Sequence, residues 1–149
     1  SPQLRTEITS IINNQFDGFY IPRKNYFCGE EVGTDKIIRL GKKNAGRWVR
    51  RVHETWEIKG VVGELTNPII HNTAENLSEY IRKINFYSTL HARANQEEGK
   101  KSSIVKIIVY PKLKFWQMLL KSRHLVFSLM QALHSFLAWS KLWMLQKEK

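Results

Sequence analysis

The spacing of apolar residues changes twice along the chain. Leu4, Ile8, Ile11 and Ile12 recur at helical steps behind Ser1, a good N-cap residue, and Pro2, suited to a first helical position. This predicts a helix that stops at Asn13–Asn14. After the turn dipeptide Asp17–Gly18 the apolar runs are short and rich in β-branched and aromatic residues, as strands require. Phe19–Ile21 reads as a strand that Pro22 ends or confines to an edge, since proline donates nothing to a ladder. Gly29–Thr34 reads as a loop and Lys36–Leu40 as a strand, with a basic turn at Gly41–Gly46. Trp48–Val52 and Thr55–Ile58 are extended, and Lys59–Gly60 is a hairpin turn into Val61–Leu65. Asn67–Pro68 breaks that strand before a last extended piece, Ile69–His71.

From Asn72 the period returns to three and four. Asn72 with Glu75 gives a loose capping box. Leu77, Tyr80, Ile81, Ile84, Tyr87 and His91 then share one helical face, which frays at Glu97–Gly99. Beyond Lys100 no acid occurs until Glu148, while lysines and Arg123 are interleaved with Ile, Leu, Phe and Trp. Two amphipathic helices are expected there, about Pro111–Lys121 and Arg123–Gln146, with Pro111 starting or kinking the first.

Length and charge narrow the picture. The 149 residues suit one domain. The 24 Lys and Arg against 13 Asp and Glu leave a net charge of +11, which favours anionic partners: nucleic acid, acidic lipid or a phosphorylated ligand. The single cysteine, Cys28, excludes an internal disulfide and a multi-cysteine zinc site. The N-terminus carries no basic region followed by a continuous apolar core, so no secretory signal is expected, and the absent initial Met suggests a fragment of something longer.

Candidate chemistry gathers between Phe16 and His71. Asp35, ahead of a strand containing Arg39, is placed to act as a general base; the alternative is a loop aspartate capping a turn. His53 suits a metal ligand or proton carrier, and Glu54 a group that orients a sugar hydroxyl or the histidine ring. Adjacent strand residues face opposite ways, so one of the two enters a shared site at most. Arg39, Lys42, Lys43, Arg47, Arg50 and Arg51 form a basic stretch fit for phosphate or for blunting a sheet edge. Trp48 and Trp56 suit stacking on a base or packing on a sugar ring. A nucleic-acid module is thus a competing reading, although no RNP, KH, zinc-finger or helix-turn-helix signature is present.

The pieces FDGFYIPRKNYF, DKIIRL, GRWVRRVHE, LTNPIIH and LSEYIRKINFYS, in this order, resemble the C-terminal half of inverting family 2 glycosyltransferases of the lipopolysaccharide-core and envelope-glycan type. The resemblance implies a partial GT-A-like fold of α+β class, with short, mostly antiparallel strands followed by C-terminal amphipathic helices. It implies an acceptor-side part over residues 1–99 and basic helices over 100–149. The family's donor half ends in a D-x-D motif, and the only Asp residues here are Asp17 and Asp35. By resemblance Asp35 matches the catalytic base. Arg39, Arg47, Glu54 and Trp48 become substrate- or phosphate-binding residues, and His53 a metal ligand. The implied cofactor is a divalent Mg or Mn ion in the full-length enzyme. The implied partners are a nucleotide-sugar donor and a glycan or lipid-linked acceptor, and a homo-oligomer is a further option.

The C-terminal helices add an anionic membrane surface to these partners. Leu125–Trp139 is too short and too interrupted to span a bilayer, which needs roughly 20 apolar residues. Leu125, Leu129, Leu133, Phe136, Leu137 and Trp143 instead offer an interfacial face. The expected location is peripheral, on the cytoplasmic face of the inner membrane. A scaffold without catalysis on that surface is the third reading.

Overall fold

The computed structural model describes residues 1–11, 15–49 and 55–148. The class is α+β, with the elements α1 (Pro2–Ile11), β1 (Gly18–Phe27), β2 (Glu30–Gly41), β3 (Gly46–Val49), β4 (Thr55–Ile58), β5 (Val62–Glu64), β6 (Ile69–Ala74), α2 (Leu77–Glu97), α3 (Ile104–Ser122) and α4 (Leu125–Lys147). One sheet has the order β2-β1-β5, with β6 also pairing β1, and a second consists of β3 and β4. The first sheet is mixed, since β1 and β5 run parallel with Gly18 opposite Val62 and Tyr20 opposite Glu64. The chain forms two compact units. The first holds Ser1–Tyr26 and Gly33–Asn72; the second holds Phe27–Val32 and the chain from Thr73 on.

In the first unit Ser1 caps α1 as expected, its Oγ accepting from the Leu4 N–H at 3.2 Å. Leu4, Ile8 and Ile11 then pack on the buried Phe19, Ile21 and Leu65. Pro22 neither ends β1 nor sits at an edge. It lies past Tyr20, the last residue paired with β5, and Leu65 has already closed that pairing through its N–H to the Tyr20 carbonyl at 2.8 Å. The missing donor therefore falls after β5 has ended.

Of the expected loop Gly29–Thr34, the residues from Glu30 on are strand. Cys28 and Gly29 both have positive φ, 50° and 86°, and make a two-residue hairpin turn whose twist matches the flanking strands. Lys59–Gly60 is likewise not a hairpin turn, because it carries the chain from β4 in one sheet to β5 in the other. The expected β3–β4 region forms an antiparallel pair in the register Trp48↔Trp56, and Arg50–Glu54 lie outside the described residues. Close approach needs glycine here. A Cβ on Gly41 would meet the Trp56 ring at 2.9 Å, and one on Gly18 would collide with the Ile58 side chain.

In the second unit α2 starts one turn later than Asn72. Asn72 is spent in β6, and Asn76 takes the cap, accepting from the Glu79 N–H while Glu79 accepts from the Glu75 N–H, each at 2.9 Å. The buried stripe is Tyr80, Ile84, Ser88, Ala92 and Asn95, which turns Leu77, Ile81 and Tyr87 outward. Small residues on that stripe let α4 approach closely, so packing overrides the count of large apolar residues. The helix α3 starts at the Ser103 cap, seven residues before Pro111, which sits inside it. Phe27, Val32, Ala74, Tyr80, Ile84 and Phe127 form the core, with Met118, Met130 and Leu133 against it. Among the described residues, no helix is long and apolar enough to cross a membrane.

Glu7 fastens α1 to the segment between β5 and β6. Its carboxylate accepts from the N–H and side chain of both Thr66 and Asn67 at 2.8–2.9 Å. The two backbone donors are the chief cause pulling its carboxyl from 4.5 down to about 2. A folded pKa below the unfolded one gives stability that is fully present above pH 4.5 and is lost as pH falls toward about 2. Glu7→Gln should therefore lower stability at neutral pH and flatten the acid-side decline. Urea unfolding over a pH series checks this, and superimposable pH profiles for the two proteins would refute it.

Candidate functional site

The candidate site runs along β2 and across the β3–β4 pair. Asp35 stands in the middle of β2, with its side chain 36% exposed. It forms a salt bridge with Arg23 on β1. Arg23 Nε donates to one carboxylate oxygen at 2.9 Å and Nη2 to the other at 2.6 Å. The fork geometry fixes the carboxylate plane, which a flexible lysine could not do. Arg39 lies four residues further along β2. The pairing of β1 with β2 in the sheet brings Arg23 and Asp35 together. Reading Gly29–Thr34 as a loop hid that partner.

Arg39, Trp48 and Trp56 are brought together. The indoles of Trp48 and Trp56 stack across the strand pair, with centroids 5.5 Å apart and planes 16° apart. The Arg39 guanidinium lies over the Trp48 ring at 5.1 Å. Cross-strand aromatic pairs contribute about 0.5–1.5 kcal/mol beyond area. Trp56 leans on the Gly41 backbone, so the stack is built outward from a glycine. Trp48 remains 50% exposed, with ring contacts from both Trp56 and Arg39, so it is not an open platform for a base. Arg47 pairs with Glu57, its register partner, at 3.3 Å; both are exposed, and the pair is of the kind worth about 0–1 kcal/mol.

Two further contacts frame the strip. Asp17, read as a turn residue, accepts from Lys42 Nζ and from the Val61 N–H, each at 3.1 Å. The Lys42 hydrogen bond is the first cause holding its carboxyl below the ordinary value. His71, at the end of the predicted strand run, contacts the Asn25 side chain through Nδ1 at 3.0 Å. His53 and Glu54 lie outside the described residues. Among the described residues no three His, Cys, Asp or Glu side chains converge to hold a metal ion.

The chain is 31% identical over 111 residues to the lipopolysaccharide core biosynthesis glycosyltransferase LpsC of Rhizobium meliloti. The match covers 69% of this chain and 41% of that protein. The α+β architecture with C-terminal helices is consistent with a partial glycosyltransferase fold. No protein-family profile matches the chain. No solved structure matches it.

The Arg23–Asp35 pair should behave as a partly buried ion pair. Arg23→Met removes the bidentate partner of a half-buried carboxylate and should cost roughly 1–2 kcal/mol after allowance for its exposure. Adding Asp35→Asn should recover part of the loss, because the double variant leaves no uncompensated charge. Urea midpoints of the two single variants and the double variant measure the coupling, and strict additivity would show that the pair contributes nothing.

Proposed function

We propose that this chain is the acceptor-side part of an inverting glycosyltransferase that builds a cell-envelope glycan or extends a lipid-linked acceptor. The observation that carries the reading is the 111-residue similarity to a lipopolysaccharide core glycosyltransferase. The placement of Asp35 on a rigid strand, with its carboxylate held by Arg23 and still open to solvent, supports it. The Asp35 carboxylate takes the proton of an acceptor hydroxyl. The hydroxyl oxygen then forms a bond to the anomeric carbon of a nucleotide sugar. The bond from that carbon to the diphosphate breaks on the opposite face, and the nucleoside diphosphate departs with the electron pair. A positioned base contributes a factor of roughly 10²–10⁴ to such a step.

In this reading Arg39 and Arg47 face phosphate charge, and Trp48 borders the sugar. Glu54 orients an acceptor hydroxyl. The divalent Mg or Mn ion that the resemblance implies finds no ligand set among the described residues, so no step is routed through it.

The test compares nucleotide-sugar turnover by these 149 residues alone and by the complete natural reading frame that contains them. Little or no transfer is expected from the 149 residues alone. In the complete protein, Asp35→Asn should lower transfer to a core-oligosaccharide acceptor by a factor of roughly 10²–10⁴ with the folded far-UV spectrum retained. Undiminished transfer by that variant would remove Asp35 from the chemistry. Efficient turnover by the 149 residues alone would overturn the acceptor-side assignment.

A further inference from the structure

We propose that the outward face of α3 docks on an anionic lipid surface, with the helix lying in the plane of the headgroups. The inference does not depend on the proposed transfer chemistry.

The helix is amphipathic with its apolar side outward. Advancing about 100° per residue, Val105, Ile108, Val109, Leu113, Trp116 and Leu120 occupy one continuous arc of about 140°, and all are exposed, Leu120 by 78% and Val105 by 67%. The opposite arc touches the core through Met118 and includes Lys114, whose amine is pulled below its usual value by burial. A helix packed on one side ordinarily buries its apolar arc and wets its charged one. Here no residue of α3 is buried, and the greater part of its apolar surface faces away from the core. Exposed apolar area of this extent on a soluble face marks an interaction site.

Charge selects the occupant. Lys112 falls in the middle of the apolar arc, between Ile108 and Trp116 in angle, and is exposed. Lys101, Lys121 and Arg123 are exposed beyond the two ends of the helix or at its last turn, and no acid lies between Glu98 and Glu148. Lysine is depleted from the buried centres of protein interfaces. At a lipid surface its stem lies along acyl chains while the ammonium reaches the phosphates. Trp116 is placed to sit at headgroup depth. The helix, of 19 residues, suits lying on a bilayer and is not among helices able to cross one.

The experiment is flotation of the chain with vesicles of phosphatidylcholine alone and of a phosphatidylcholine–phosphatidylglycerol mixture. Co-flotation with the mixture, weakened by salt, is expected. Leu113→Gln with Leu120→Gln should lower that partition by at least roughly tenfold, since both side chains leave water on docking. Lys112→Gln should lower it roughly fivefold. Both sets of changes are on exposed side chains, and an unchanged melting curve keeps each variant interpretable. No flotation with either vesicle would overturn the proposal, and so would equal flotation with both. A lipid-free dimer that Leu113→Gln with Leu120→Gln dissociates would overturn it in favour of a second copy of the chain on this face.

Discussion

The pairing of β1 with β2, closed by the turn at Cys28–Gly29, is the constraint on which the rest hangs. Two consecutive residues at positive φ reverse the chain in the least length a hairpin allows. A left-handed conformation costs a non-glycine residue about 1–2 kcal/mol. Cys28 is held there while its N–H donates to the Ala74 carbonyl at 2.9 Å, and Phe27 just before it is buried against Tyr80 and Phe127 at centroid distances of 5.0 and 5.4 Å. Arg23, earlier on β1, lies beside Asp35 on β2, and its two nitrogens fix the plane of that carboxylate.

Much of the chain was legible from spacing alone. The helices α1 and α4 fall where periodicity puts them, because local preference and packing agree there. The misreadings share one cause, the use of a local breaker signal where tertiary partners decide. Pro22 lies in a strand interior because its neighbouring strand ends first. Pro111 does not start α3 but lies within it, where it lacks an N–H for the carbonyl four residues back and its ring crowds that carbonyl. Asn72 has the chemistry of a cap, but Ile69–Ala74 are needed as strand beside β1. On α2 the counted stripe kept Tyr80 and Ile84 in the core, while Leu77, Ile81 and Tyr87 gave way to Ser88, Ala92 and Asn95, because a close helix partner rewards small residues and not only large ones.

The candidate site was legible in residue type and not in pairing. Asp35, Arg39, Trp48 and Arg47 were named from composition and resemblance, and each lies on the strip formed by β2 and the β3–β4 pair. The partner of Asp35 was missed, since Arg23 is twelve residues away in sequence and stood in what read as a polar stretch after a breaker. The stack of Trp48 on Trp56 follows from the antiparallel register, in which the two stand opposite one another.

The net charge also divides into two uses once the cations are placed. Lys141 reaches from α4 to α2 and donates to the Asn85 carbonyl, the Asn85 side chain, Ser88 and Thr89 at 2.6–2.8 Å. Burial pulls its amine below the usual value. Lys106 donates to the Lys101 carbonyl at 2.6 Å and lies over the Trp139 ring, and Lys83 donates to the Thr73 carbonyl at 3.0 Å while pairing with Glu79 at 2.6 Å. A lysine ammonium carries three donors, and here these are spent within the fold on backbone, hydroxyl and carboxylate oxygens. Such cations hold helices and hairpin ends in place and are not offered to a ligand. Lys112 differs from them in kind, because it stands on an apolar arc with its charge turned to solvent. A surplus of positive charge therefore says little about partners until the internal uses are subtracted; what remains on α3 is arranged as an apolar stripe with a cation at its centre.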